Sequence, residues 1–261
     1  MNNKIAVLRN QTVVKANDLI QKSRFNLSLQ QQKIVLYLIS QIKYDDDEFK
    51  LYDFSIVDFC RVCGIEIEGG KSYAELKNAI QEIANKSIWV KLENGKETLL
   101  RWIEKPYIDG GGSGTIQIKL DNDMKPYLLQ LKEKYTRYEL IYTLHFRSKY
   151  TIRLYELIKS LHYNERDKYS RVFEVEELKK LMGAENYTQT GAFKTWALKP
   201  AINEINLYSD KTIHVKELHQ GRKITHFKIF IETKPAAERL LIRAEIEEEM
   251  GFNQLSLWDD V

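Results

Sequence analysis

Four polar residues, Lys194, Thr195, Lys199 and Asn203, lie within one segment of helical periodicity, and two cations, Arg222 and Lys223, follow in a turn-forming stretch. Lysine can donate to guanine or to phosphate, asparagine can pair with adenine, and long cations on a hairpin tip reach backbone phosphates or the minor groove. Such a set would perform non-covalent recognition of a polyanion. The competing reading is the solvated side of an amphipathic helix beside an ordinary charged hairpin. Arg147, Lys149 and Arg153 form a second basic group that could neutralise phosphates at a helix start. Lys71, Ser72, Lys77, Asn78 and Lys86 offer an equivalent surface earlier in the chain, but Glu66, Glu68, Glu75 and Glu82 dilute its positive field.

Covalent chemistry finds no comparable support. Gly70-Lys71-Ser72 resembles the end of a phosphate-binding loop, yet five residues separate Gly64 from Gly70 where four are needed, so a turn and a helix start explain it better. Cys60 and Cys63 have the spacing of half a zinc site with no second pair, and His145 and His162 stand far away. His214 and His226 could meet across two strands, where packing is the simpler role. A DNA-nicking tyrosine would need alternating histidines for its metal, and no His-apolar-His segment occurs. The expectation is therefore no catalytic centre, no metal and no cofactor.

The elements that must position the cations are written twice. Leu29, Ile34, Leu36, Leu38 and Ile39 mark an apolar helix, and Tyr150, Leu154, Leu157, Ile158 and Leu161 mark another. Each is followed by a strand entering a short helix, Phe54 to Gly64 and Phe173 to Gly183, with the glycine placed to end the helix in left-handed geometry. A third helix comes next in each unit, with Leu76, Ile80 and Ile83 in the same phase as Leu198, Ile202 and Ile205. Pro200 lies beyond the first turn of its helix and predicts a bend or a late helix start. Strand pairs then flank Asn94-Gly95 and His219 to Lys223. Helix, strand, helix, helix, hairpin is the wiring of a winged helix-turn-helix domain, whose third helix offers side chains to the major groove. Trp89 and Trp102 read as core residues of the first wing.

The first unit carries an extra glycine-tipped strand pair leading to Thr115 to Leu120, and Asp121 to Lys134 reads as a bridging helix. The fold class expected is α+β, two tandem winged helix-turn-helix domains with a helical or flexible C-terminal tail. Its divisions fall at 1–134, 135–232 and 233–261. Pro235 breaks the chain before a charged helix bearing Leu240, Leu241 and Ile246. At the end, Gln254, Leu255, Leu257 and Trp258 lie in a pentapeptide that resembles the bacterial sliding-clamp binding motif, with packing on the body as the alternative.

Charge follows this division. Glu232 to Val261 holds 3 basic and 8 acidic residues, leaving 37 basic against 29 acidic in the body, a net of +8 beneath an overall +3. A basic body attracts phosphate backbones, and an acidic tail faces solvent or a protein. No uncharged stretch approaches the roughly 18 residues that span a membrane, and two cysteines cannot make a disulfide scaffold, so a cytoplasmic location is expected.

From Val13 to Glu232 the chain resembles the Rep_3 family of plasmid replication initiators. The resemblance rests on Asn26 to Ile34, Lys149 to Lys159, Phe193 to Asn206 and Thr225 to Ile229. It implies monomers that bind direct repeats, called iterons, in double-stranded origin DNA, and dimers that self-associate to repress their own promoter at an inverted repeat. It further implies iteron-specific contacts from the second domain, here Lys194, Lys199, Asn203, Arg222 and Lys223, with dimerisation and backbone contact from the first. Iteron binding would strain an AT-rich origin, and a host initiator, the replicative helicase and the sliding clamp would act next. A transcriptional repressor of the same architecture is the alternative.

Overall fold

The computed structural model describes residues 2–65, 70–108, 114–161 and 167–250. The chain opens with α1 (Asn2–Arg9), β1 (Thr12–Ala16), α2 (Asn17–Gln21) and β2 (Ser23–Arg24). The first repeat of the pattern follows as α3 (Leu29–Ser40), β3 (Tyr52–Ser55), α4 (Ile56–Val62), α5 (Gly70–Asn85), β4 (Ser87–Lys91) and β5 (Glu97–Arg101). The extra hairpin β6 (Ile103–Ile108) and β7 (Thr115–Leu120) then leads to a 3-10 turn, α6 (Lys125–Leu128), β8 (Tyr135–Glu139) and α7 (Leu140–His145). The second repeat is α8 (Lys149–Ser160), β9 (Lys168–Glu174), α9 (Val175–Met182), α10 (Thr190–Phe193), a π-helical turn (Lys194–Leu198), α11 (Lys199–Tyr208), β10 (Lys211–Gln220) and β11 (Lys223–Thr233). Last comes α12 (Ala236–Glu249).

Local chemistry explains the boundaries. Ser28 and Gln31 cap α3 reciprocally: the Gln31 amide N–H donates to the Ser28 hydroxyl and the Ser28 amide donates to the Gln31 side chain. Ser148 accepts from the Tyr150 amide at the start of α8. Gly64 (φ 64°) and Gly183 (φ 65°) end α4 and α9 as expected. At each, the next amide reaches back five residues, Ile65 to Cys60 and Ala184 to Lys179, closing the two helix ends alike.

The two repeats differ in their sheets. In the second, β9 joins the wing in the order β10-β11-β9. In the first, the extra hairpin captures β3 in the order β3-β7-β6, and the wing pairs with β2 instead, β2-β4-β5. The bridging helix expected over Asp121 to Lys134 is largely absent. Only Asn122–Met124 and α6 are helical, because Leu129 turns extended and Gln130 (φ 48°) and Lys134 (φ 51°) adopt left-handed backbone that no right-handed helix accommodates. The chain thereby returns along β1, which pairs antiparallel with β8.

Helix α8 is buried on almost every side, packing against α2, α3, α9 and α11 and so touching both repeats. Helix α12 lies on α7 and α11 through Ile242 and Ile246, while Leu240 and Leu241, marked in the sequence as apolar, stand exposed. Arg243 pairs with Glu139 at 3.0 Å, and the Arg9 guanidinium donates to the Met250 carbonyl at 3.2 Å, fastening the helix to the N-terminal part of the chain. Among the described residues, no helix is long and apolar enough to cross a membrane.

Candidate nucleic-acid interface

The third helix of the second repeat is continuous from Thr190 to Tyr208, but its middle is widened. The Lys199 amide donates to the Lys194 carbonyl, five residues back. Pro200 explains the widening. It has no amide hydrogen, and in a regular helix its ring would press on the carbonyl four residues earlier, so one wide turn relieves the clash without breaking the rod. The expected bend is thus a π-helical turn. Phe193, Ala197, Leu198, Ala201 and Ile205 face the core. Thr195, Trp196, Lys199, Asn203 and Leu207 are exposed on the opposite side. A helix held by one face and presenting its other in this way is what major-groove reading requires.

The wing lies beside it. Strands β10 and β11 close through Gly221 (φ 61°) and Arg222, placing exposed Arg222 and Lys223 at the tip. Lys194 is half-buried and donates to Glu217 of β10 at 2.9 Å, so it braces helix to wing and its charge is already matched. Two further cations escaped the sequence reading. Lys216 and Lys228 stand directly opposite one another on β10 and β11, a like-charge pair that disfavours the isolated sheet, on the strand face turned away from Glu217 and Phe227. Strand register would have revealed them; residue type alone does not.

Other sequence candidates occupy different settings. Arg153 does not belong to a DNA surface: it is 4% exposed, donates to the carbonyls of Leu181, Ile20 and Ser23, and lies over the Phe25 ring at 4.3 Å. Its neighbour one helical turn away explains the burial, since Glu156 supplies a countercharge at 3.6 Å. Ser72 is buried in the first turn of α5. Lys86 donates to Gln31 and Lys149 to Asn26, each held by a neighbour. Burial and the nearby Lys86 both push the Lys149 amine below its usual range. Arg147 is exposed, with Glu249 3.7 Å away. On α5, Leu76, Ile80 and Ile83 face inward as expected, Lys71 and Asn78 are exposed and Lys77 is half-buried, beside exposed Glu75 and Glu82. Gln254, Leu255, Leu257 and Trp258 lie outside the described residues, as does His162.

The tryptophans divide. Trp102 is 1% exposed and packs edge-on against Phe25, but Trp89, expected in the wing core, is 47% exposed because its strand position alternates outward between Ile88 and Val90. His214 sits opposite Phe230, and His226 opposite Leu218, so the two histidines do not meet. Cys60 and Cys63 are buried free thiols, and burial pushes the Cys63 thiol up to about 12. Among the described residues, no three His, Cys, Asp or Glu side chains gather as metal ligands.

Two repeats of helix, strand, helix, helix and hairpin define a tandem winged-helix protein. Family comparison agrees on both halves: residues 12–159 match the model described as Initiator Replication protein, WH1, and residues 174–231 match Initiator Rep protein, WH2. The chain belongs to this initiator replication protein family. A replication initiation protein of Escherichia coli is 26% identical over 211 residues, which cover 78% of this chain and 64% of that protein, so the chain spans less than two thirds of that relative's length. Among solved structures, the Pi initiator protein in complex with iteron DNA superposes with a TM-score of 0.71 at 20% identity, covering 87% of this chain and 98% of that one, a likeness of fold.

Proposed function

We propose that this protein initiates replication of a plasmid-like DNA by binding repeated sequences in duplex origin DNA. The reading is carried by the exposed row Thr195, Lys199 and Asn203 on a helix whose other face is core, next to a wing tip bearing Arg222 and Lys223. Lys199 and Asn203 serve base edges, while the wing cations serve phosphates. Family membership and the fold shared with an initiator solved on iteron DNA support the same assignment. The division of labour proposed is base reading by residues 135–232 and backbone contact with self-association by residues 1–134, through Lys71, Lys77 and Asn78. Arg147 lies at the start of the second unit and serves phosphates there. Binding to adjacent repeats strains AT-rich DNA and lowers the cost of opening it, after which a host initiator, helicase and clamp act in the cytoplasm.

The test is nuclease footprinting on the DNA flanking the protein's own gene across a salt series. Protection of clustered direct repeats, weakening as salt rises, is the expected result. Protection of a lone inverted promoter site would favour a repressor instead. Failure to protect any segment at low salt would overturn the reading.

A further inference from the structure

Trp196 is 67% exposed on the outward row of the second-repeat recognition helix, three residues before Lys199 and seven before Asn203. An aromatic side chain of this size normally buries most of its area. Of the residues around it, Ala197 and Leu198 turn into the core, and Thr195 and Lys199 are exposed. The π-helical turn bears directly on this placement, since Trp196 is its central residue and the widened turn spreads the positions before Pro200 around the helix. The row in order is therefore hydroxyl, indole, ammonium, carboxamide.

The major groove presents acceptors, donors and one apolar feature, the C5-methyl group of thymine. Lys199 and Asn203 match the first two kinds of feature. On the reading proposed above, on which this inference rests, we propose that Trp196 is a specificity residue that covers a thymine methyl within each bound repeat. Its indole removes the methyl and its own ring from water together, so the preference is for thymine over any base lacking that methyl.

The methyl can be removed without touching the protein. Within the footprinted site, each thymine is replaced singly by deoxyuridine, which deletes only the C5-methyl, and binding of the full chain is measured for the wild type, Trp196→Phe and Trp196→Ala. One thymine position should weaken wild-type binding about fourfold on losing its methyl, the equivalent of about 0.8 kcal/mol for one buried carbon. That position should become insensitive in Trp196→Ala, which itself binds about tenfold more weakly, and stay partly sensitive in Trp196→Phe. Retained thermal unfolding of the variants confirms that the exposed site tolerates them. Wild-type affinity unchanged by every deoxyuridine replacement, or an equal effect of the replacement in wild type and Trp196→Ala, would overturn the assignment while leaving duplex binding intact. No specific binding by the wild type would remove the proposed function and this inference together.

Discussion

Replacing Glu156 by glutamine should unfold the protein far more readily than any surface substitution. Glu156 is 1% exposed in the middle of α8, and three groups converge on it: Lys15 of β1 donates at 2.6 Å, Tyr138 of β8 donates through its hydroxyl, and Arg153 lies 3.6 Å away. Desolvation alone would raise the carboxyl's pKa, but Lys15 and Arg153 outweigh it and hold Glu156 below the usual range. Lys15 is itself pushed down by burial, with Glu156 acting to restore it. Two cations facing one carboxylate settle the balance in favour of a charged Glu156. Glutamine keeps the shape and removes the charge, leaving two buried cations without their partner. Losing one member of such a pair costs about 3–5 kcal/mol. At about 2–4 °C per kcal/mol for a protein of this size, the midpoint should fall on the order of 10 °C. Urea and thermal unfolding followed by circular dichroism measure both quantities. Because the carboxyl's folded pKa is depressed, its contribution is present above the unfolded value of about 4.5 and is lost as pH falls through the folded one. The deficit of Glu156→Gln should therefore shrink in acid. In a double-mutant cycle, Lys15→Met with Glu156→Gln should cost less than the two single changes added, since fewer unpaired cations remain. A loss under about 1 kcal/mol for Glu156→Gln, constant from pH 7 to pH 3, would refute this account.

Lys199→Ala or Asn203→Ala should cost about 1–3 kcal/mol of binding to the footprinted site and relax the base preference at one position, measured by fluorescence anisotropy against single-base variants. Arg222→Ala and Lys223→Ala should weaken binding uniformly across sequences, each lowering the salt slope by about 1. Burial pulls the Lys211 amine down to about 8, so between that pH and the unfolded value near 10.5 the unfolded chain holds the extra proton and stability rises with pH. The stability of Lys211→Met relative to wild type should therefore decline from pH 8 to pH 10 in paired urea titrations, and a constant difference would contradict it. Deleting Gln254 to Trp258 should abolish direct affinity for the sliding clamp in a binding titration, and unchanged affinity would dismiss that role.

Element order was legible because it follows from periodicity and punctuation. Gly64 and Gly183 each act within a few residues, and they behave alike in sequence and in space. The buried face of α5 followed for the same reason, and Leu198 and Ile205 with it, while Ile202 is half-buried and Ala201 takes the core position. What escaped depends on partners distant along the chain. Arg153 looked like a phosphate ligand because only the fold brings Ile20, Ser23 and Leu181 to its guanidinium. Lys194 looked like a groove residue by type, but it sits on the side of Ala197, Leu198 and Ala201, where its partner Glu217 comes from the wing. Trp89 alternates outward on β4, whereas Trp102 lies between β5 and β6, where Phe25 packs against it. Trp196 shares the outward side of its helix with Lys199 and Asn203, and only its exposed position in the fold distinguishes it from a core aromatic.

The burial of Arg153 bears on what holds α11 in place. A cation expected on the DNA side instead ties α8 to the last turn of α9 and to α2 and β2, while Glu156 one turn later ties the same helix to β1 and β8. Since α8 also packs against α11, the charged core that joins the two repeats is one helix away from Lys199 and Asn203. Buried ion pairs contribute little net stability compared with apolar packing, but they tolerate few alternative arrangements, because every displaced charge must find a partner. The seam pairs Lys15, Glu156 and Arg153, so sliding α8 along β1 separates Lys15 from Glu156. Because α11 packs on the same α8, those pairs also hold α11 where it presents Lys199 and Asn203 to solvent.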